Sequence, residues 1–346
     1  MSIGKAVVVD YTYLGDESLF QPEMLAAKEN DIELILGNCK TEDEIIELAH
    51  DADVIHCCGN PPITRRVIST ISKCKYIIRY GIGVNSVDLE AATEYGKVVY
   101  NMPGFCTEEL ALHASALILS LLRNVNYYDS RIRKGEWPKA KGVTPKRLSG
   151  MTLGLYGFGG SAKPLAEIFG KGFKSRVVTN DPYVSEEICY EYGVERVSFD
   201  EMLSLSDVVS VNAPLNNETY HIFNKEAFKK MKKTAMIINI ARGPLIDEKA
   251  LIEALETGEI RFAGLDVFEQ EPISKDNPLL KMDNVVLTPH SAFYGEESLE
   301  NQHSTAAMLM VQALTENMII ERNVANGDVL RKWGGYQNGK FRIQDN

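Results

Sequence analysis

The stretch from Thr152 to Asp181 constrains the fold more than any other part of this chain. An apolar run, Thr152-Leu153-Gly154-Leu155-Tyr156, leads into Gly157-Phe158-Gly159-Gly160-Ser161-Ala162, then a helix-like segment, then Arg176-Val177-Val178-Thr179-Asn180-Asp181. Glycines set between a strand and a helix, with an acidic residue about 20 positions on, form the dinucleotide-binding pattern. Gly157 permits the tight turn, Gly159 lets the backbone approach a pyrophosphate, and Ala162 takes the third glycine position, where helix packs on strand. The pyrophosphate then lies at a helix N-terminus, whose N–H groups favour anions. Asp181 is placed to accept hydrogen bonds from both ribose hydroxyls, and its charge repels a 2′-phosphate. The expected cofactor is NAD rather than NADP.

A chain that opened with this fold would show its glycine turn within the first few dozen residues, yet the turn arrives at Gly157. A separate domain therefore occupies the first hundred. There, strand-like stretches (Ala6 to Asp10, Ile32 to Leu36, Val54 to Cys58, Tyr76 to Arg79, Val98 to Tyr100) alternate with helix-like ones (Pro22 to Glu29, Glu42 to His50, Thr64 to Ser72). Such alternation implies a parallel sheet with helices on its faces. Pro103-Gly104 marks a break, and Thr107 to Val125 follows as a long helix with Leu110, Ala114, Leu117, Leu121 and Leu122 on its apolar face. His113 on this helix reads as a core or interdomain residue rather than a catalytic one. The polar stretch Arg131 to Arg147 reads as a surface arm or a dimer contact.

From Met151 six further strands are expected: Leu153 to Tyr156, Val177 to Asp181, Val208 to Asn212, Met236 to Ile240, Phe262 to Val267 and Val285 to Thr288. A last helix is expected over Glu297 to Ile320, with a polar tail from Asn323. The fold class is α/β, with two doubly wound parallel-sheet domains: a flavodoxin-like substrate domain, which is discontinuous (1–102 plus 296–346) if the tail packs back on the first hundred residues, and a Rossmann domain binding NAD (103–295).

Composition narrows the function. The 346 residues carry a net charge of −11 with no basic stripe or Lys/Arg block, which argues against nucleic-acid binding. An acidic chain that takes an anionic substrate must supply positive charge locally, so individual arginines matter. The six cysteines form no C-x-x-C pair, and His56-Cys57-Cys58 lie on one strand with no second ligand cluster, so no metal site is expected. The N-terminus lacks the zones of a signal peptide and no apolar run reaches membrane-spanning length, which makes cytoplasm the default and membrane association unexpected.

Ligands of an open parallel sheet bind at the carboxyl ends of its strands. Three such ends here deliver Arg242, Glu271 and His290. Reducing a carbonyl needs a proton donor on the developing alkoxide, and histidine titrates in the useful range. A carboxylate on the other ring nitrogen, the role suited to Glu271, fixes the tautomer. Arginine offers a fork that matches a carboxylate.

These motifs resemble those of the D-isomer-specific 2-hydroxyacid dehydrogenases. The likeness rests on Asn239-Ile240-Ala241-Arg242-Gly243-Pro244-Leu245-Ile246-Asp247, on Gly264-Leu265-Asp266-Val267-Phe268-Glu269-Gln270-Glu271-Pro272, on Thr288-Pro289-His290, and on Arg79-Tyr80-Gly81-Ile82-Gly83-Val84-Asn85-Ser86-Val87-Asp88. It spans about residues 50 to 325. The resemblance implies catalytic Arg242, Glu271 and His290, and substrate-carboxylate contacts from the backbone of Ile82 and Gly83. It implies cofactor contacts from Gly159, Gly160, Ser161, Asp181, Asn212, Ala213, Pro214, Thr219, Ile240, Ala241 and Asp266, the last towards the nicotinamide amide. Residues from about 300 onward are expected to return to the first domain, and a homodimer is expected through the helix from Thr107 and the arm after it. His290-Ser291-Ala292-Phe293-Tyr294 with Arg79 is similar to the C-terminal-binding-protein branch, which implies that Phe293 and Arg79 contact an apolar 2-oxo acid. Asn85, Asn212 and Gly160-Ser161 depart from the commoner family residues.

The expected activity is NAD-dependent reduction of a 2-oxo acid to the D-2-hydroxy acid, with His290 as proton donor. Two alternatives stay open at this point: an NADH-sensing regulatory protein of the C-terminal-binding-protein type, and a phosphoglycerate dehydrogenase-like enzyme.

Overall fold

Apolar, largely β-branched runs in the first hundred residues pair side by side in a computed structural model of the chain. This structure describes residues 2–13, 15–138, 144, 146–316, 319–331, 336–337 and 340–341. The chain divides into two units, Met1–Phe105 with Gly295–Asn346, and Cys106–Tyr294.

In the first unit, β1 (Gly4–Val8), α1 (Gln21–Glu29), β2 (Ile32–Leu36), α2 (Glu42–Ala49), β3 (Val54–Cys57), α3 (Arg65–Thr70), β4 (Tyr76–Arg79), α4 (Leu89–Glu94) and β5 (Val98–Tyr100) alternate. The strands form one parallel sheet in the order β2-β1-β3-β4-β5, the flavodoxin-like order. β3 is buried along its whole length, as a strand covered on both faces must be. Thr41 starts α2 by accepting the Glu44 N–H, one of the donors a helix start leaves without an internal partner.

The second unit opens with α5 (Thr107–Arg123) and α6 (Val125–Arg133), followed by β6 (Thr152–Tyr156), α7 (Ala162–Glu167), β7 (Arg176–Asn180), α8 (Glu186–Glu191), β8 (Glu195–Arg196), α9 (Phe199–Leu205) and β9 (Val208–Val211). Next come α10 (Lys225–Lys230), β10 (Met236–Asn239), α11 (Glu248–Thr257), β11 (Phe262–Leu265) and β12 (Val285–Leu287). Its parallel sheet runs β12-β11-β10-β9-β6-β7-β8, so the strand order reverses between β6 and β9. That reversal opens the crevice in which doubly wound sheets bind ligands. α5 lies against this sheet, with Leu117 and Leu121 beside Gly264 of β11; a side chain at 264 would crowd Leu117 Cβ at 3.1 Å.

Some expectations change. The expected Thr107 to Val125 helix stops at Arg123, because Asn124 turns left-handed (φ +52) and caps it by donating to Ser120 and Leu121 carbonyls. The first residues of the expected arm, Arg131 to Arg133, belong to the helix that follows, while 139–143 and 145 lie outside the described residues. β8 was not anticipated: its two residues are charged and exposed, with no apolar alternation to announce it.

The last helix, α12 (Glu296–Val311), ends sooner than Ile320 and passes into a π turn over Gln312–Glu316. The stretch after Asn323 is more than a polar tail. Asn323 and Asn326 are buried, the Asn326 Oδ1 accepts the Val99 N–H at 2.9 Å, and its Nδ2 donates to the Lys97 carbonyl at 2.9 Å. Ala325 N donates to the Val99 carbonyl and Asn101 N to the Asn323 carbonyl, both at 2.8 Å. This segment therefore covers the open edge of β5, which would otherwise present unpaired backbone groups. Among the described residues, no helix is long and apolar enough to cross a membrane.

Candidate active site

The glycine turn after β6 has the conformation its sequence requires. Gly157 adopts φ +88, and a Cβ there would sit 2.8 Å from the Ala213 amide nitrogen, so the turn passes directly over the exit of β9. Gly159 and Gly160 are exposed, and a side chain at Gly159 would point into open space. Ala162 is fully buried under the start of α7. Ser161 Oγ lies 3.4 Å from Asn212 Oδ1, and Thr219 Oγ1 donates to the Pro214 carbonyl at 2.7 Å, closing the loop after β9. At the end of β7 the half-buried Asp181 accepts the Phe158 N–H at 2.7 Å and the Tyr183 N–H at 2.8 Å. An exposed glycine backbone beside an anchored carboxylate fits the pyrophosphate and ribose of a dinucleotide.

A second group forms where β10, β11 and β12 end. The buried Asn239 folds its side chain over the exit of β10: its Oδ1 accepts the Ala241 N–H at 3.0 Å and its Nδ2 donates to the Arg242 carbonyl at 2.9 Å. This bend follows the buried Ile240 and sends out Arg242, whose Nη1 donates to the Ala241 carbonyl at 2.6 Å. Gly243 comes next, and any Cβ there would overlap the Phe268 carbonyl. The Arg242 turn and the 268–271 loop are thus in backbone contact.

Glu271 ends that loop. Its Oε1 accepts the Phe268 N–H at 3.0 Å and its Oε2 lies 2.7 Å from His290 Nδ1. Burial alone would raise the Glu271 carboxyl, but the His290 hydrogen bond and charge, the Phe268 N–H and the Arg242 guanidinium together hold it below its ordinary value. A carboxylate can only accept, so His290 Nδ1 carries the hydrogen and Nε2 faces the other way. The ring of Phe293 stands edge-on to His290 with centroids 6.5 Å apart.

Asp266, the residue expected to contact the nicotinamide amide, also holds the His290 loop. Its side chain is fully buried beneath the His290 loop, where Oδ1 accepts Thr288 Oγ1 at 2.6 Å and Ser291 N at 2.8 Å, and Oδ2 accepts Ala292 N at 2.9 Å. A buried carboxylate must find donors, and the loop's own N–H groups supply them. Asn239, Gly243 and Thr288 carry no assigned role in the sequence reading, and His113 reads there as a core or interdomain residue; each has a structural part here. Of these, only Asn239 carries a local signal, an Asx side chain two residues before a backbone N–H that it accepts.

Arg79, Ile82 and Gly83 belong to the first unit. Gly81 adopts φ +128, and the Arg79 guanidinium lies where its side chain would be. Asn101 Nδ2 donates to the Ile82 carbonyl at 2.7 Å and Met102 N to the Gly81 carbonyl at 3.0 Å, fixing the turn after β4.

The model of the D-isomer specific 2-hydroxyacid dehydrogenase NAD-binding domain matches residues 115–292. A glyoxylate reductase of Korarchaeum cryptofilum is 37% identical over 296 residues, 83% of this chain and 86% of that protein. A D-3-phosphoglycerate dehydrogenase of Methanocaldococcus jannaschii is 41% identical over 261 residues, 75% of this chain, and the match spans 49% of that longer protein. The crystal structure of D-lactate dehydrogenase from Aquifex aeolicus complexed with NAD and lactic acid superimposes with a TM-score of 0.80 at 27% identity, covering 93% of this chain and 99% of that one. The chain belongs to the D-isomer-specific 2-hydroxyacid dehydrogenases, NAD-linked oxidoreductases that act on small 2-hydroxy and 2-oxo acids.

Proposed function

We propose that this protein reduces a 2-oxo acid to the D-2-hydroxy acid. The observation that carries the reading is the placement of Arg242, Glu271 and His290 at three neighbouring strand ends, with His290 hydrogen-bonded to Glu271 at 2.7 Å. NADH, when bound, would supply a hydride (one proton with two electrons) for C2 of the 2-oxo acid. Arg242 holds the substrate carboxylate and polarises the adjacent carbonyl. His290 gives its Nε2 proton to the carbonyl oxygen as charge develops there, and Glu271 stabilises the imidazolium before the transfer and keeps the ring oriented after it. The family resemblance further assigns the N–H groups of Ile82 and Gly83 to substrate-carboxylate binding, and Phe293, beside His290, gives the substrate side chain an apolar wall.

The cofactor side follows the same logic. Gly159, Gly160 and Ser161 receive the pyrophosphate, and Asp181 receives the adenosine ribose and disfavours NADP. Asn212, Ala213, Pro214, Thr219, Ile240 and Ala241 line the remaining path along the strand ends. The protein is also proposed to act as a homodimer through α5 and α6, which expose Leu112, Val125 and Ile132.

The test is NADH consumption against glyoxylate, pyruvate, hydroxypyruvate, branched-chain and aromatic 2-oxo acids, with chiral analysis of the product. Turnover to a D-product is the expected result. Tight NADH binding without turnover on any of them would overturn the enzymatic reading and favour a sensor.

A further inference from the structure

His290 adopts φ +54, a left-handed backbone conformation that non-glycine residues keep only where their surroundings hold them in it. The holding contacts converge on Asp266. Its backbone carbonyl accepts the His290 N–H at 2.8 Å, and its carboxylate takes Ser291 N and Ala292 N on one side of His290 and Thr288 Oγ1 on the other. Upstream of His290, the Thr288 hydroxyl is therefore the tie between the loop and this buried anion.

That hydroxyl has a second partner. His113 Nε2, from α5, lies 2.9 Å from Thr288 Oγ1 and 3.6 Å from Asp266 Oδ1. The carboxylate can only accept, so the threonine hydrogen goes to Asp266 and the threonine oxygen accepts from His113, which fixes the proton of His113 on Nε2. The chain of donors runs His113 to Thr288 to Asp266, and Asp266 in turn grips the peptide groups that follow His290. A hydroxyl held from both ends cannot rotate away.

We infer that Thr288 and His113 are positioning residues for His290: they set the loop that aims the imidazole at the reacting oxygen and keep Nδ1 within reach of Glu271. Neither touches substrate or cofactor in this scheme, and His113, which by sequence reads as a core or interdomain residue, acquires a role through the hydroxyl it holds. The inference rests on His290 being the proton donor. Valine matches threonine in shape and lacks the hydroxyl, so Thr288→Val cuts the tie with little change in volume.

The experiment compares the purified full-length protein with Thr288→Val, Thr288→Ser, His113→Leu and His113→Gln, and with His290→Gln as reference, measuring kcat, KM for the best 2-oxo acid, the Kd of NADH and the unfolding midpoint. A donor displaced by a fraction of an ångström loses transition-state contact before it loses binding, so Thr288→Val is expected to lower kcat about tenfold or more with NADH affinity within about twofold. Thr288→Ser, which restores the hydroxyl, should recover most of kcat, and His113→Gln, which restores an N–H, should retain more turnover than His113→Leu. Unchanged kcat in Thr288→Val would overturn the inference, as would a serine variant no better than valine. If Thr288→Val does not fold, the two His113 variants decide, equal turnover in them overturning it. Normal turnover in His290→Gln would instead remove the proton-donor reading on which this rests.

Discussion

His290 Nδ1 lies 2.7 Å from Glu271 Oε2, although the two residues leave different strands, β12 and β11. The contact joins a titratable ring to a carboxylate held below its ordinary value, chiefly by His290 itself acting against the effect of burial. Glu271→Gln keeps the size and an accepting oxygen but removes the charge that stabilises an imidazolium. Turnover of the best 2-oxo acid should fall about 10²-fold or more, with the Kd of NADH little changed. Steady-state kinetics and a fluorescence titration of NADH measure both, and undiminished turnover would dissociate Glu271 from the proton transfer.

Gly243 separates Arg242 from the 268–271 loop by less than the width of a methyl group. Gly243→Ala should push these two backbones apart, displacing Arg242 and Glu271 together. The expected result is a fall in kcat/KM of about 10²-fold, the scale of a 1 Å misplacement. The pyrophosphate turn at Gly157 follows a different strand, β6, so NADH affinity should fall less than kcat/KM. A variant with wild-type kcat/KM would show that the loop yields freely.

Asp181 has two duties, accepting Phe158 N and Tyr183 N while presenting a charge at the end of β7. Asp181→Asn removes the charge at nearly constant shape. The ratio of NADH to NADPH efficiency should narrow by about tenfold or more, roughly the 1.4 kcal/mol that such a factor represents. Parallel kinetics with the two cofactors give the ratio, and one that stays put would place cofactor selection elsewhere.

Glu23 on α1 is fully buried in the first unit, and one of its oxygens, Oε1, lies 2.8 Å from Tyr80 Oη, which donates to it, and 2.9 Å from His303 Nδ1 on α12. Glu23→Leu would leave two buried donors without their acceptor, each costing about 1–3 kcal/mol, so a loss of about 2–6 kcal/mol is expected. Urea unfolding would register it as a lower midpoint at unchanged slope. A loss below the cost of one such donor would mean that Tyr80 and His303 find other partners.

His56 on β3 is fully buried, and burial first, with the neighbouring His303 adding to it, pushes its pKa from 6.5 down to about 3. Between those two values the unfolded chain binds a proton that the folded state refuses. This contribution is therefore flat above pH 6.5 and erodes stability as the pH falls below it, by up to about 1.4 kcal/mol per pH unit. Unfolding free energies at pH 7.5 and 5.5 should differ less in His56→Gln than in the parent chain. Equal differences would show that His56 is not the group responsible.

Much of this molecule is legible in its sequence. The Thr152 to Asp181 segment specified strand, glycine turn, helix and strand because each step has a local cause: short apolar runs that extend, a Gly157 that tolerates φ +88, and an Asp181 at a strand end. The placement of Arg242, Glu271 and His290 after neighbouring strands was likewise readable, since each follows an apolar strand and the ends of parallel strands share one edge. Even the Asn124 break in the long helix lies within reach of local chemistry, asparagine being among the few residues that accept a left-handed cap.

Three things were decided only by the folded chain. Asp266 sits under the His290 loop with its carboxylate accepting from Thr288, Ser291 and Ala292, partners 22 to 26 positions away. His113 acquires a partner 175 positions on, and Asn326 covers the edge of β5 from 227 positions away. The sequence determined which local conformations the backbone could adopt and which chemistry each strand end could offer. Tertiary structure decided where the buried polar groups went, because a buried donor or acceptor must be satisfied by whatever the packing brings within 3 Å or so, and sequence separation imposes no limit on that search.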